Sequence, residues 1–176
     1  NAVSEEKDLT FTIMGKDDVP VITGSSDSIT EDDRGTDELS ATISDDDDGA
    51  TPEITKITSK TGGGSADLTG DGPWTIEGEY GILTVTRENG ELKYSYTLYT
   101  KEKNPESYEE RQELNVDSPS LEETFTVHGK SGDKDAQGTI TITITGENDA
   151  PTLELEYDAG TETTVDGAIT VDGWDP

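Results

Sequence analysis

The chain has 176 residues, with 41 Asp and Glu against 12 Lys and Arg and a net charge of −29 at neutral pH. That balance argues against nucleic acid and anionic membranes, which such a surface repels, and suits a divalent cation that takes carboxylate oxygens. Cysteine is absent, so disulfides and thiolate metal sites are excluded, and no run of about 18 apolar residues exists to span a membrane as a helix.

Leu, Ile, Val and Phe make up 32 residues of the chain, a content close to that of disordered proteins. The period-two patterning is too regular for a solvated tail. In chain order, Phe11 and Ile13 share a parity, and a first strand is expected over residues 20–30. Leu39, Ala41 and Ile43 form the next apolar face. Asn89-Gly90 lies between residues 82–85 and the row Leu92, Tyr94, Tyr96, Leu98, a strong hairpin signal. Residues 106–114 suit one short turn of helix. Leu121, Phe125 and Val127 share a parity, as do Ile140, Ile142 and Ile144, then Leu153, Leu155 and Tyr157. Gly, Asp, Asn and Pro punctuate the runs, as at Asp71-Gly72-Pro73 and over residues 129–138. Short alternating strands with frequent turns predict an all-β, two-sheet antiparallel sandwich.

One phrase occurs twice. Gly15-Lys16-Asp17-Asp18-Val19-Pro20 and Gly146-Glu147-Asn148-Asp149-Ala150-Pro151 lie 131 residues apart, and each follows a Thr/apolar run. Recurrence at domain-length spacing predicts a tandem repeat. The expected division is a final strand of a preceding unit in residues 1–18, a complete unit in 19–149, and opening strands of the next in 150–176. Residues 168–175 loosely echo residues 41–48 at an offset of 127 or 128. A rival alignment matches residues 10–16 to 124–130, so the N-terminal piece corresponds to either of the last two strands. Partial units leave strand edges unpaired, which allows head-to-tail strand pairing between copies. Nothing at Asn1 resembles a signal peptide. The expectation is an internal segment, or export directed by a C-terminal signal.

Following strand direction gathers the acids at two poles. The upper pole collects Asp17, Asp18, Asp45, Asp46, Asp47 and Asp48, with Asp133 and Asp135 from the last hairpin turn. The lower collects Glu31, Asp32, Asn148 and Asp149, and meets Asp172 and Asp175 of the next unit. So many carboxylates at a junction repel unless neutralised. Ca²⁺, which accepts six to eight oxygens in flexible geometry, fits better than the strictly octahedral Mg²⁺.

At these residues the chain resembles the cadherin-like and VCBS-type repeats of bacterial RTX adhesins. The closing strand and linker, residues 138–151, carry the resemblance, together with residues 78–85, 94–98 and 121–127. It implies an Ig-like or cadherin-like sandwich in long filaments, exported by type I secretion to the bacterial surface. The units would be stiffened by junctional Ca²⁺ and serve attachment and biofilm formation. By position, Asn148 and Asp149 match the linker ligands, Glu31 the first-strand glutamate, and Asp172, Asp175 and Asp45 through Asp48 the acidic loop after the second strand. Pro151 follows without the extra Asn of animal cadherins, and Glu109-Glu110-Arg111 departs from the family's Asp-Arg-Glu. Those departures favour one or two ions over three.

Other signals fail. Gly129-Lys130-Ser131 lacks the earlier glycine of a phosphate loop, since Thr124 stands there. Asp133-x-Asp135 opens like an EF-hand but meets Ile144 at the twelfth position. His128 is the sole histidine, with no recognisable triad around it. The expectation is therefore a non-enzymatic extender whose partners are neighbouring repeats of the same polypeptide. Surface glycans or host receptors would be met through other domains. The rival is a carbohydrate- or ligand-binding sandwich, with Trp74, Tyr80, Tyr94, Tyr96 and Trp174 as stacking candidates. A weaker third reading is an accessory domain of an extracellular hydrolase.

Overall fold

The computed structural model describes residues 7–89 and 91–149. Val21–Gly24 (β1) pairs antiparallel with Ala41–Ser44 (β4), with Val21 opposite Ser44. A five-stranded sheet follows the order Ser26–Thr30 (β2), Lys134–Thr145 (β11), Leu121–Ser131 (β10), Glu53–Ser59 (β5) and Ser65–Asp67 (β6). The four-stranded sheet follows Gly35–Leu39 (β3), Glu91–Leu98 (β9), Gly81–Glu88 (β8) and Trp74–Glu77 (β7). Every pairing is antiparallel except that of β2 with β11.

Alternation dictates the packing, because a strand with one buried face presents every second residue to it. Ile140, Ile142 and Ile144 of β11 are fully buried, as are Phe125 and Val127 of β10 and Ile57 of β5. They meet Leu83, Val85, Ile76 and Tyr96 of the other sheet in one core, which makes the molecule an all-β sandwich. Tyr96 and Phe125 bridge the layers edge to face, with centroids 6.1 Å apart. The hairpin signal at Asn89 is realised: Glu88 pairs with Glu91 and Asn89 takes φ +51°.

Four elements differ from the sequence reading. Residues 20–30 form two strands, and so do residues 35–44. Each run changes partner at a serine, and the two serines are joined by the Ser40 N–H donating to Ser25 Oγ at 2.8 Å. Gly24 sits just before the break, where an added Cβ would stand 1.8 Å from the Thr139 carbonyl oxygen. Only glycine allows β1 to leave so close to β11. The apparent turn of residues 129–138 is mostly strand, because Ser131 pairs with Lys134 and leaves a two-residue loop. The helix is longer than one turn: Pro105–Gln112 (α1) starts at Asn104, whose side chain accepts the Ser107 N–H at 3.2 Å, with Pro105 in the first turn. Among the described residues, no helix is long and apolar enough to cross a membrane.

Candidate metal centre

The parallel pairing of β2 with β11 makes the lower pole. Both strands run the same way, with Thr30 opposite Thr145 at the end of the ladder, so the chain leaves both strands side by side. The ladder continues one step, as the Glu31 N–H donates to the Thr145 carbonyl at 3.0 Å. Glu31 then turns its side chain back, and its Oε1 accepts the Glu147 N–H at 2.7 Å. A tight turn carries the main chain away, with the Asp33 N–H donating to Thr30 O and the Thr30 N–H to Asp33 Oδ2.

These turns bring Glu31, Asp32 and Asp149 together, with one oxygen from each lying within 4.8 Å of the others. Among the described residues this is the one acidic or imidazole trio so arranged. Asp32 and Asp149 are exposed. Glu31 is only 2% exposed, and its Oε2 has no hydrogen-bond partner. A buried, unpartnered carboxylate oxygen is costly. Set among two further carboxylates, it fits a cation that accepts hard oxygen ligands.

The upper pole is assembled differently. The Asp18 N–H donates to Asp47 Oδ2 at 2.7 Å, and the Asp47 N–H to Asp45 Oδ1 at 3.0 Å. Lys134 lies 3.8 Å from both Asp17 and Asp133. Partial desolvation, with Asp47 and Asp133 nearby, pushes the Asp17 carboxyl above its usual range against the pull of Lys134. The Ser131 hydroxyl and the Asp47 N–H hold Asp45 below its own. The structure thus gathers Asp17, Asp18, Asp45, Asp47 and Asp133, but side-chain oxygens of Asp17, Asp45, Asp47 and Asp133 meet protein donors or the Lys134 ammonium. Asp46, Asp48 and Asp135 are exposed, and so is Asn148 below. Asp172, Asp175 and Trp174 lie outside the described residues.

Two buried groups were not expected as site residues, although Arg111 belongs to the Glu109-Glu110-Arg111 segment compared above with Asp-Arg-Glu. Arg111, on α1, is 2% exposed. It donates through Nη1 to the Glu31 carbonyl and through Nη2 to the Tyr99 carbonyl, the latter at 2.6 Å. Glu123, on β10, is fully buried and accepts from the Tyr96 hydroxyl and the Glu79 and Tyr80 N–H groups. The four stacking candidates among the described residues are occupied. Arg87 lies over the Trp74 ring at 5.7 Å, and Tyr80, Tyr94 and Tyr96 are buried. His128 is a half-buried strand residue beside Thr58, its Nε2 3.2 Å from Thr58 Oγ1.

Comparison with protein-family models, curated proteins and solved structures returned no match. The chemistry of the centre therefore rests on its own geometry.

Proposed function

We propose that the chain is a Ca²⁺-stiffened extender unit of a secreted or cell-surface bacterial adhesin, without catalytic activity. The carrying observation is the trio of Glu31, Asp32 and Asp149, which joins a linker carboxylate to two from the body, together with the buried, unpartnered Oε2 of Glu31. An ion held there fixes the linker to the unit it leaves. Three carboxylates supply part of the six to eight oxygens Ca²⁺ takes; water, main-chain carbonyls and the next unit are the natural sources of the rest.

The repeated phrase supports the same reading from both sides. At its first occurrence Asp18 is tied by its N–H to Asp47 of the unit that follows. At its second, Glu147 is tied by its N–H to Glu31 of the unit that precedes. A linker inside an array would carry both restraints. The offset of 131 also pairs Leu9, Phe11 and Ile13 with Ile140, Ile142 and Ile144. The latter three are fully buried, while the former are 77%, 79% and 95% exposed. The rival alignment pairs Phe11 and Ile13 with Phe125 and Val127, which are fully buried as well, so under either alignment residues 7–14 carry a face that its counterpart strand buries. The strand order supports the Ig-like assignment. The opening run of residues 20–30 is divided between partners, β1 pairing with β4 and β2 with β11, while β3, β9 and β8 lie in one larger sheet and β5, β10 and β11 in the other, an arrangement compatible with the two sheets of an immunoglobulin sandwich.

Calorimetric titration of the chain tests the site. Ca²⁺ is expected to bind saturably and more tightly than Mg²⁺, with Asp149→Asn weakening it about tenfold or more. Absence of saturable Ca²⁺ binding would remove the metal reading.

A further inference from the structure

We propose that Arg111 is a positioning residue of the Glu31–Asp32–Asp149 centre: it clamps the Glu31 main chain to the end of β9 so that the carboxylate stays aimed at the cation. The proposal rests on the metal reading above and adds the device that holds the site in shape.

Local sequence delivers the side chain. The Asn104 cap and Pro105 start α1, and Arg111 falls in its last turn, four residues after Ser107 on the same buried face. Its guanidinium reaches two carbonyls that belong to different parts of the fold. One is Glu31, just past β2, and the other is Tyr99, just past β9 of the opposite sheet. The Tyr108 ring lies 5.5 Å from the guanidinium, covering it further.

This is an unusual use of a buried arginine. Buried charges are normally paired with an opposite charge. Among the described residues, Arg111 has no carboxylate at ion-pair distance, and its Nε has no partner. Its planar fork fixes two carbonyls at once, which a lysine ammonium cannot do with the same rigidity. Glu31 is the trio's buried member, and its Oε1 is already committed to the Glu147 N–H. The aim of the remaining oxygen therefore depends on where the Glu31 main chain is held. Outer-shell groups that orient ligands typically contribute about 10–100-fold to metal affinity.

Charge and geometry predict opposite outcomes, which makes the idea testable. A positive charge beside a cation site weakens binding, so its removal alone would tighten it. If Arg111 acts by position, its removal loosens binding. The experiment uses the whole chain: wild type, Glu31→Gln, Arg111→Lys, Arg111→Met and Tyr108→Leu. Ca²⁺ affinity is measured by calorimetry, inner-sphere water by Tb³⁺ luminescence lifetimes in H₂O and D₂O, and folding by melting in chelator. Wild type should bind and Glu31→Gln should not. Arg111→Lys and Arg111→Met should each bind about tenfold more weakly or worse, with additional water on Tb³⁺.

Affinity within twofold of wild type for both arginine variants, or tighter binding by Arg111→Met, overturns the positioning role and leaves the site standing. Failure of wild type to bind removes the site itself, and this proposal with it. Should the arginine variants not fold, Tyr108→Leu decides: affinity about threefold weaker with unchanged melting in chelator supports the role, and unchanged affinity overturns it.

Discussion

Saturating Ca²⁺ raises the melting temperature of the chain by about 10 °C, and Glu31→Gln abolishes the rise. An ion that binds the folded state alone stabilises it by RT ln(1 + [L]/Kd), about 2.7 kcal/mol at a hundredfold excess over Kd. For a folded unit of this size each kcal/mol moves the midpoint by roughly 3–5 °C. Glutamine is the informative replacement. It keeps a carbonyl oxygen to accept the Glu147 N–H now held by Glu31 Oε1, so the turn survives, but it removes the charge the ion needs. In chelator the variant should melt at or slightly above wild type, since the trio's mutual repulsion is relieved. Scanning calorimetry with Ca²⁺ and with chelator reads both effects. An equal rise in the two proteins would place the ion elsewhere.

Glu123→Ala lowers stability by about 3 kcal/mol, the larger effect among changes away from the metal centre. Glu123 lies inside the sandwich and accepts from the Tyr96 hydroxyl and from two main-chain N–H groups of the turn between β7 and β8. Truncation leaves two buried donors and the part-buried Glu79 N–H without partners, each buried one costing on the order of 1–3 kcal/mol before relaxation. The turn it holds also supports α1, since Tyr80 in that turn donates through its hydroxyl to Glu110 at 3.4 Å. Damage at Glu123 should therefore reach the helix that carries Arg111. Urea unfolding measures the loss, and a drop below about 1 kcal/mol would contradict the buttress.

The same residue makes stability depend on pH. Burial pushes the Glu123 carboxyl above its ordinary value of 4.5, against the lowering influence of the Tyr96, Glu79 and Tyr80 donors. The groups that face it are Glu79, Tyr80, Tyr96 and Tyr99. With the folded value above the unfolded one, the protonated form is favoured by folding. Its contribution is complete below about pH 4.5 and disappears as pH climbs through the raised value. General repulsion among the acids acts in the same direction. The diagnostic quantity is therefore the difference between wild type and Glu123→Gln, which should widen in favour of the amide as pH rises toward neutrality.

Much of the sandwich was legible because half-buried strands must alternate. The rows Ile140, Ile142, Ile144 and Leu92, Tyr94, Tyr96, Leu98 identify both strands and their inward faces. What escaped was non-local. No periodicity marks Ser25 and Ser40 as the points where two strands change partner, since the change is fixed by Gly24 lying against Thr139. The parallel pairing of β2 with β11 likewise leaves no local trace, although it brings Glu31 beside the linker. Glu123 was readable in retrospect. It fills the gap in the row Leu121, Phe125, Val127, and an acid at an inward position demands partners. Arg111 stands in a polar helix whose tertiary role depends on two carbonyls distant in sequence. The acids at the lower pole were traceable through strand direction alone, whereas that route could not foretell that Lys134 occupies the upper one.

The central claim is that an ion at the linker stiffens the seam between units. Small-angle X-ray scattering of two copies of residues 19–149, joined through the phrase of residues 146–151, tests it most directly. With Ca²⁺ the pair should scatter as an extended rod with a sharply defined maximum dimension. With chelator the distance distribution should broaden and its mean shorten. Superimposable curves in the two conditions, from a protein that calorimetry shows to be binding Ca²⁺, would contradict the account.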